Sequence, residues 1–470
     1  MKFAQSPERE IFLVDTAPSC VGIDIGTTSI CAYAVRLSDG EPLGVFRMPN
    51  GADLPAAFPG DKRQDAEIIY ERVRALTDAV LAQFPGVSAI GFTGQMHGIL
   101  CTDHTGRALT PLYTWQDGRA GMGSPSACDE ILAQTGYRTA AGYGLATAYA
   151  LMQSGTFPID TARICTVMDY TAARLCGIPV TAMHTSNAAS LGLYHMGQHT
   201  FDGDALRVLG IDAALLPQVR DTLCTVGRYR GIPVTLPIGD NQASFWGSVS
   251  DSRTMALANF GTGSQISLAA DGGAEYISVG SVEFRPLMGT TGLYCGAALC
   301  GGRAYAMLER FVREILSAAG QETSDVYPLL NRFAAAGLDD IRRTGQKLSV
   351  QTTFCGTRDD PMASGSVTGI REALFTPQAL AAGTLFGMAE ELYRMYQVMP
   401  HEHITHLAAS GNAIRRNPVL RQILEQVFGM DVRIPAVREE AAFGAAMTAA
   451  VAAGYADSMQ TLGRWVRYRN

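Results

Sequence analysis

One short pattern, present twice, most constrains what this chain of 470 residues can fold into. In the first half, Val21-Gly22-Ile23-Asp24-Ile25 meets Gly26-Thr27-Thr28-Ser29 and continues as Ile30-Cys31-Ala32-Tyr33-Ala34-Val35. In the second half, Met255-Ala256-Leu257-Ala258-Asn259-Phe260 meets Gly261-Thr262-Gly263-Ser264 and continues as Gln265-Ile266-Ser267-Leu268. Each copy reads as strand, tight Gly-Thr turn, strand. Such a turn aims successive backbone N–H groups and hydroxyls at one spot, a nest that binds phosphate without lysine. Either turn alone is an ordinary hairpin connector. Their matching places in two modules point to two grips on one polyphosphate. Asp24, at the strand end, is a hard oxygen ligand of the kind that holds hydrated Mg²⁺ against phosphates.

The segments around both copies read as α/β. Ser38-Asp39-Gly40 is a turn and Leu43–Arg47 a third strand. Asp65–Phe84 is predicted helical, because Ile68, Ile69, Val73, Leu76, Val80, Leu81 and Phe84 share a stripe. Val87–Phe92 is a short strand and Thr93–Gly98 a loop. In the second half a helix follows Gly301-Gly302, and another starts at Thr376-Pro377. Ile404–Ala408 and Val432–Ile434 read as strands. Asn417-Pro418 opens a helix that ends at Gly429, and Glu439–Ala453 is a small-residue helix. Residues 1–19 read as a loose leader without the form of a secretory signal. The expected organisation is one α/β module used twice, with the boundary near Gly247–Arg253 and a cleft between the copies.

Composition removes competing classes. Lys and Arg number 37 against 44 Asp and Glu, a net charge of −7, and the only lysines are Lys2, Lys62 and Lys347. Nucleic acid and anionic membrane are therefore not expected partners. The longest weakly polar run, Ala441–Gly454, is too short to span a bilayer. Ten scattered cysteines without a C-x-x-C pair suit reduced thiols in a cytoplasm. His401-Glu402-His403-x-x-His406 lacks a fourth ligand nearby and is not taken as a metal site. Neither G-x-x-x-x-G-K-[ST] nor a strand-linked G-x-G-x-x-G with a downstream acid occurs, so P-loop and Rossmann readings lose ground.

Three further stretches carry chemistry. Val234–Ile238 reads as an apolar strand ending at Gly239-Asp240-Asn241-Gln242. A carboxylate at that strand end can take the proton of an attacking hydroxyl, and Asp240 can equally cap the following helix. Gln95-Met96-His97-Gly98 and Trp115-Gln116-Asp117-Gly118-Arg119 combine an aromatic face with fixed polar groups, the mixture a sugar needs. A buried Asp117–Arg119 pair and a core His97 are the structural alternative. Thr185–Ser190 is a polar loop, read as sugar contact or turn. Ser410-Gly411-Asn412 follows a strand with small residues that would let a flat base approach the backbone.

Together these residues resemble the FGGY family of carbohydrate kinases, over roughly residues 20–455. The resemblance implies two ribonuclease-H-like domains of the actin and hexokinase superfamily with a catalytic cleft between them. It places a sugar-binding domain with the base at 20–247 and a nucleotide-binding domain at 248–456. It assigns ATP phosphates to Gly26, Thr27, Thr28, Ser29, Gly261, Thr262 and Gly263, and the adenosine side to Gly301, Gly302, Ser410, Gly411 and Asn412. Asp240 becomes the catalytic base, and Asp24 with Asp240 the Mg²⁺ ligands. The sugar falls to Gln95, Met96, His97, Trp115, Gln116, Asp117, Arg119 and Asn241. The Gln-Met-His-Gly loop is similar to ketose kinases rather than glycerol kinase, although the second phosphate turn has the glycerol kinase form. The implied partners are ATP or ADP and a ketose, sedoheptulose first and xylulose or another ketose second, with a homodimer as one expected assembly. A nucleotide switch or pseudokinase is the non-catalytic alternative.

Overall fold

The computed structural model describes residues 7–13, 16–270, 279–321, 324–357, 360 and 362–469. They divide into two units, the first made of Met1–Ser250, Pro286–Thr291 and Glu439–Val466, the second of Asp251–Arg285, Gly292–Arg438 and Arg467–Asn470.

The first unit is built on seven strands: β1 (Glu8–Ile11), β2 (Ser19–Ile25), β3 (Ser29–Arg36), β4 (Pro42–Pro49), β5 (Val87–Gly94), β6 (Thr225–Tyr229) and β7 (Ile232–Thr235). They lie in the order β1-β4-β3-β2-β5-β7-β6. β2, β3 and β4 form an antiparallel meander, and β5 and β7 add in parallel. Of the expected leader, residues 1–6, 14 and 15 lie outside the described residues, but Glu8–Ile11 is a strand. It pairs with Arg47–Gly44 and so supplies partners for the backbone groups of β4. The helix α1 (Ala66–Gln83) starts where Asp65 accepts hydrogen bonds from Glu67 N and Ile68 N. Ile69, Val73, Leu76 and Val80 are buried in one core with Ile23, Phe46 and Phe92. Burying each such side chain contributes ~1.5–3 kcal/mol. Ile68, expected on that stripe, is exposed.

Two short helices carry the residues of interest. Thr185–Leu191, expected as a loop or turn, is helix α2, started by the side chain of His184 accepting from Ser186 N. Asp240–Ser248 is helix α3. By chain position the helix Glu440–Ala452 falls in the second half, but it packs on β2, β5 and α3 of the first unit. Its small residues explain why. A β-carbon on Gly22 would stand 1.8 Å from Ala442 O, and one on Gly91 2.1 Å from Ala445 O. On the other side, Gly247 comes equally close to Glu440 O, 2.0 Å, and Gly444 to Ala243 O, 1.9 Å. At these four positions backbone lies directly on backbone, which only glycine permits.

The second unit repeats the plan. Its strands are β8 (Met255–Phe260), β9 (Ser264–Ala270), β10 (Val282–Met288), β11 (Thr291–Ala298), β12 (His406–Ser410), β13 (Asp431–Pro435) and β14 (Tyr468–Arg469). Their order is β10-β11-β9-β8-β12-β13-β14. β8, β9 and β11 are antiparallel, and β12 and β13 add in parallel. Numbered within each unit, β2-β3-β4-β5-β7 and β8-β9-β11-β12-β13 both read 3-2-1-4-5, the ribonuclease-H-like order. The core of this unit gathers Phe260, Tyr294, Phe386, Leu392 and Tyr396, with the helix Pro377–Gln397 at its centre. The strand expected at Ile404–Ala408 sits two residues later, at His406–Ser410, because its parallel pairing with β8 opens with His406 opposite Met255. No helix among the described residues is long and apolar enough to cross a membrane.

Candidate active site

In the first unit, the turn between β2 and β3 is held from beneath. Asn50 donates its Nδ2–H to Gly26 O at 2.8 Å, and its backbone N–H to Thr28 O at 2.9 Å. A β-carbon on Gly26 would meet Ser29 O at 2.8 Å, so the turn closes tightly only with glycine. Thr28 and Ser29 are exposed, Gly26 and Thr27 half-buried.

Thr27 joins this turn to the polar groups expected at a sugar. Its hydroxyl accepts from Trp115 Nε1–H at 3.0 Å and donates to Gln95 Oε1 at 3.4 Å. Gln64 completes the set: its Nε2 donates to Thr27 O (2.8 Å) and Asp53 Oδ1 (3.0 Å), and its Oε1 accepts from Gln95 Nε2 (2.9 Å). Gln95 and Met96 are buried, and the Trp115 indole and Gln116 are exposed. His97 adopts a left-handed backbone, φ 71°, and is tied down by Ser190. Its N–H donates to Ser190 Oγ at 3.2 Å and its Nδ1–H to Ser190 O at 2.7 Å. Its ring stacks on Tyr143 at 4.7 Å. Asp117 and Arg119 follow the structural alternative. Asp117 accepts from Arg119 N, Nε and a terminal NH₂ and from Lys62 N at 2.7–3.1 Å. Arg119 also donates to Asp61 at 3.1 Å and lies 4.2 Å over the Tyr113 ring.

Asp240 is the first residue of α3 and does not cap it. Gly239 occupies the cap position, with no side-chain cap bond, and Asp240 is half-buried. Met96 packs against Gly239, where a β-carbon would meet its sulfur at 2.6 Å. Asn241 follows in the same first turn of the helix. Asp24 has its carboxyl pushed up to about 8, first by desolvation and then by the charges of Asp240 and Glu439. That surplus of negative charge is a fit for a divalent cation. Among the described residues no three His, Cys, Asp or Glu side chains form a ready cage. One or two carboxylates, with phosphates and waters completing the shell, is how Mg²⁺ is usually held.

In the second unit three expected nucleotide loops come together. Gly302 N donates to Gly261 O at 2.9 Å and Arg303 N to Thr262 O at 3.1 Å, so helix α4 (Gly302–Ala318) starts on the Gly261-Thr262-Gly263 turn. A β-carbon on Gly301 would meet Gly263 O at 2.3 Å. β8 and β12 pair with Asn259 opposite Ser410, and Asn259 Nδ2 donates to Ser410 Oγ at 3.0 Å. Gly411 has φ 94° and a β-carbon position 2.4 Å from Phe260 O, and Asn412 begins the short helix α5 (Asn412–Arg416).

Family models match both halves: the N-terminal domain of the FGGY family of carbohydrate kinases over residues 19–247, and its C-terminal domain over 294–453. The chain belongs to the FGGY family of carbohydrate kinases. A sedoheptulokinase from Mus musculus is 29% identical over 92% of the chain and 97% of its own length. One from Homo sapiens is 26% identical over the same shares. In fold, a xylulose kinase from Rhodospirillum rubrum superposes with a TM-score of 0.81 at 22% identity, covering 96% of this chain and 93% of that one. This FGGY kinase is an ATP-dependent sugar kinase of the actin and hexokinase fold, as its family and relatives support. Gln64, Asn50 and Tyr143 were not singled out from the sequence, and Ser190 was read there only as part of the polar Thr185–Ser190 stretch. Their partners lie 11–93 residues away, and no spacing signals such bonds.

Proposed function

We propose that this kinase transfers the γ-phosphoryl group of ATP to a terminal primary hydroxyl of a ketose, with sedoheptulose giving sedoheptulose 7-phosphate. The observation that carries the reading is the Thr27 hydroxyl. One side chain of the phosphate turn holds both Gln95 and Trp115, so acceptor-binding groups stand beside phosphate-binding ones. The similarity to sedoheptulokinases over 92% of the chain supports the choice of sugar.

In this reading Trp115 offers an apolar face, and Gln95, His97, Gln116 and Asn241 orient hydroxyls. Met96 fills the wall beside Gly239. Asp117 holds Arg119 and the Lys62 backbone in place, and with them the edge of the site. Asp240 accepts the proton of the acceptor hydroxyl, which raises its nucleophilicity as phosphorus is attacked. Backbone N–H groups and hydroxyls of Gly26–Ser29 and Gly261–Gly263 hold the phosphates, and Gly301, Gly302, Ser410, Gly411 and Asn412 receive the nucleoside. Mg²⁺, held by Asp24 and Asp240 with the phosphates, would neutralise charge on the transferring group. The Gln95-Met96-His97-Gly98 loop, similar to that of ketose kinases, favours xylulose as the second acceptor.

The test is ADP release with sedoheptulose, xylulose, ribulose, fructose and glycerol. Fastest turnover is expected with sedoheptulose. A preference for xylulose moves the chain to the second reading, and ADP release indifferent to every sugar overturns both.

A further inference from the structure

The segment that delivers Asp240 has no regular secondary structure of its own. β7 ends at Thr235 and α3 starts at Asp240, so four residues make the corner. Three consecutive residues of that corner are each held by a buried side chain from elsewhere. Asn187 Nδ2 donates to Pro237 O at 3.2 Å, Thr93 Oγ1 to Ile238 O at 2.9 Å, and Gly239 N–H to Ser186 Oγ at 3.0 Å. Thr93, Ser186 and Asn187 are all buried.

The directions close without conflict. Ser186 Oγ spends its proton on His184 Nδ1 at 2.8 Å, and that nitrogen also accepts from Ser186 N at 3.2 Å. The chain therefore runs Gly239 N–H to Ser186 O–H to His184, and requires a neutral imidazole. Thr93 sits in β5 opposite Asp24 of β2, so one of the three holds extends from the strand pair carrying the other carboxylate. Ser186 and Asn187 belong to α2, whose Ser190 fixes His97. One seven-residue helix thus sets both the Gln95–Gly98 loop and the corner before Asp240.

We propose that Thr93, Ser186 and Asn187 are positioning residues that aim the Asp240 carboxylate by clamping Pro237, Ile238 and Gly239, an inference that rests on Asp240 being the base. A base displaced by about 1 Å can lose of the order of 10²-fold in rate. Thr93, Ser186 and Asn187 are buried and none is among the residues proposed to hold the sugar or the nucleotide, so loss of the clamp should move turnover rather than binding.

The test is Thr93→Val, which keeps the side-chain shape and removes the hydroxyl, against Thr93→Ser, which keeps the hydroxyl. Thr93→Val is expected to lower kcat by about ten- to a hundredfold. KM for ATP and sugar should stay within about twofold, and Thr93→Ser should restore kcat. Ser186→Ala, acting from α2, is expected to give the same split. Hydrogen exchange over residues 236–241 is read on the same proteins. It should quicken in Thr93→Val and Ser186→Ala and return to the wild-type rate in Thr93→Ser. Unchanged kcat, or Thr93→Ser as slow as Thr93→Val, overturns the proposal. So does unchanged exchange in both hydroxyl-deleting variants. Wild-type protein inactive on every sugar would instead overturn the proposed function, and the exchange comparison would still decide the clamp.

Discussion

Substituting Gly444 by alanine separates two forces that predict opposite signs. Gly444 lies inside the helix Glu440–Ala452. Helix propensity alone makes Gly→Ala stabilising by about 1 kcal/mol. Packing says otherwise. The new methyl would stand 1.9 Å from Ala243 O, 2.7 Å from its carbonyl carbon and 3.0 Å from its Cα. All three are backbone atoms of α3, so no flexible side chain can give way. Overpacking costs about 1–3 kcal/mol, and a rigid backbone neighbour puts this site at the upper end. The net is a loss of about 2 kcal/mol, or a fall in Tm of roughly 4–8 °C. Because Ala243 is three residues from Asp240, the displaced helix should also lower kcat. Calorimetry and steady-state rates on Gly444→Ala decide the matter. A Tm equal to or above that of the wild type would refute the backbone-on-backbone account of this helix.

Asp240→Asn should lose about 10²–10⁴ in kcat while calorimetric ADP binding is retained, and near-normal turnover removes Asp240 as the base. Gly411→Ala places a methyl 2.4 Å from Phe260 O at φ 94° and should weaken ADP binding about tenfold, which calorimetry reads directly. His184 is buried, and desolvation lowers its pKa from 6.5 to about 4. The unfolded chain therefore takes up a proton as pH falls through that window, and stability present above about pH 6.5 is lost towards pH 4. About 2 kcal/mol should be gone by pH 5. In His184→Asn the urea midpoint should fall less between pH 7 and pH 5, and an equal fall contradicts the assignment. Comparing variant with wild type isolates His184 from Asp169, whose buried carboxyl is pushed up to about 7 and acts in the opposite sense.

The parts legible in the sequence are those written in neighbouring residues. The two Gly-Thr turns, the α1 stripe apart from Ile68, and the Asn417-Pro418 start with its Gly429 end all depend on local backbone preferences, and all three appear in the structure. What escaped depends on distant partners. Glu8–Ile11 becomes a strand only because β4 has an edge to cover. Thr185–Leu191 carries Ser, Thr and Asn suited to a turn, and the His184 cap with burial of Ala188 and Leu191 makes it a helix. Asp240 suited an N-cap by type, but Gly239 took that position and left the carboxylate within the first turn. A buried Asp117–Arg119 pair was one of the two readings open in the sequence, but the partners that complete it, Asp61 and the Lys62 backbone, lie more than fifty residues away and left no local sign. The small residues of Glu440–Ala452 announced close packing without naming β2, β5 and α3 as the surfaces packed.

The most direct measurement is phosphorus NMR of a reaction holding ATP, Mg²⁺ and sedoheptulose. The account predicts a new phosphomonoester resonance on the sugar, growing in step with ADP and about 10²–10⁴-fold more slowly with Asp240→Asn. ADP formed together with inorganic phosphate alone, or an Asp240→Asn reaction as fast as that of the wild type, would contradict it.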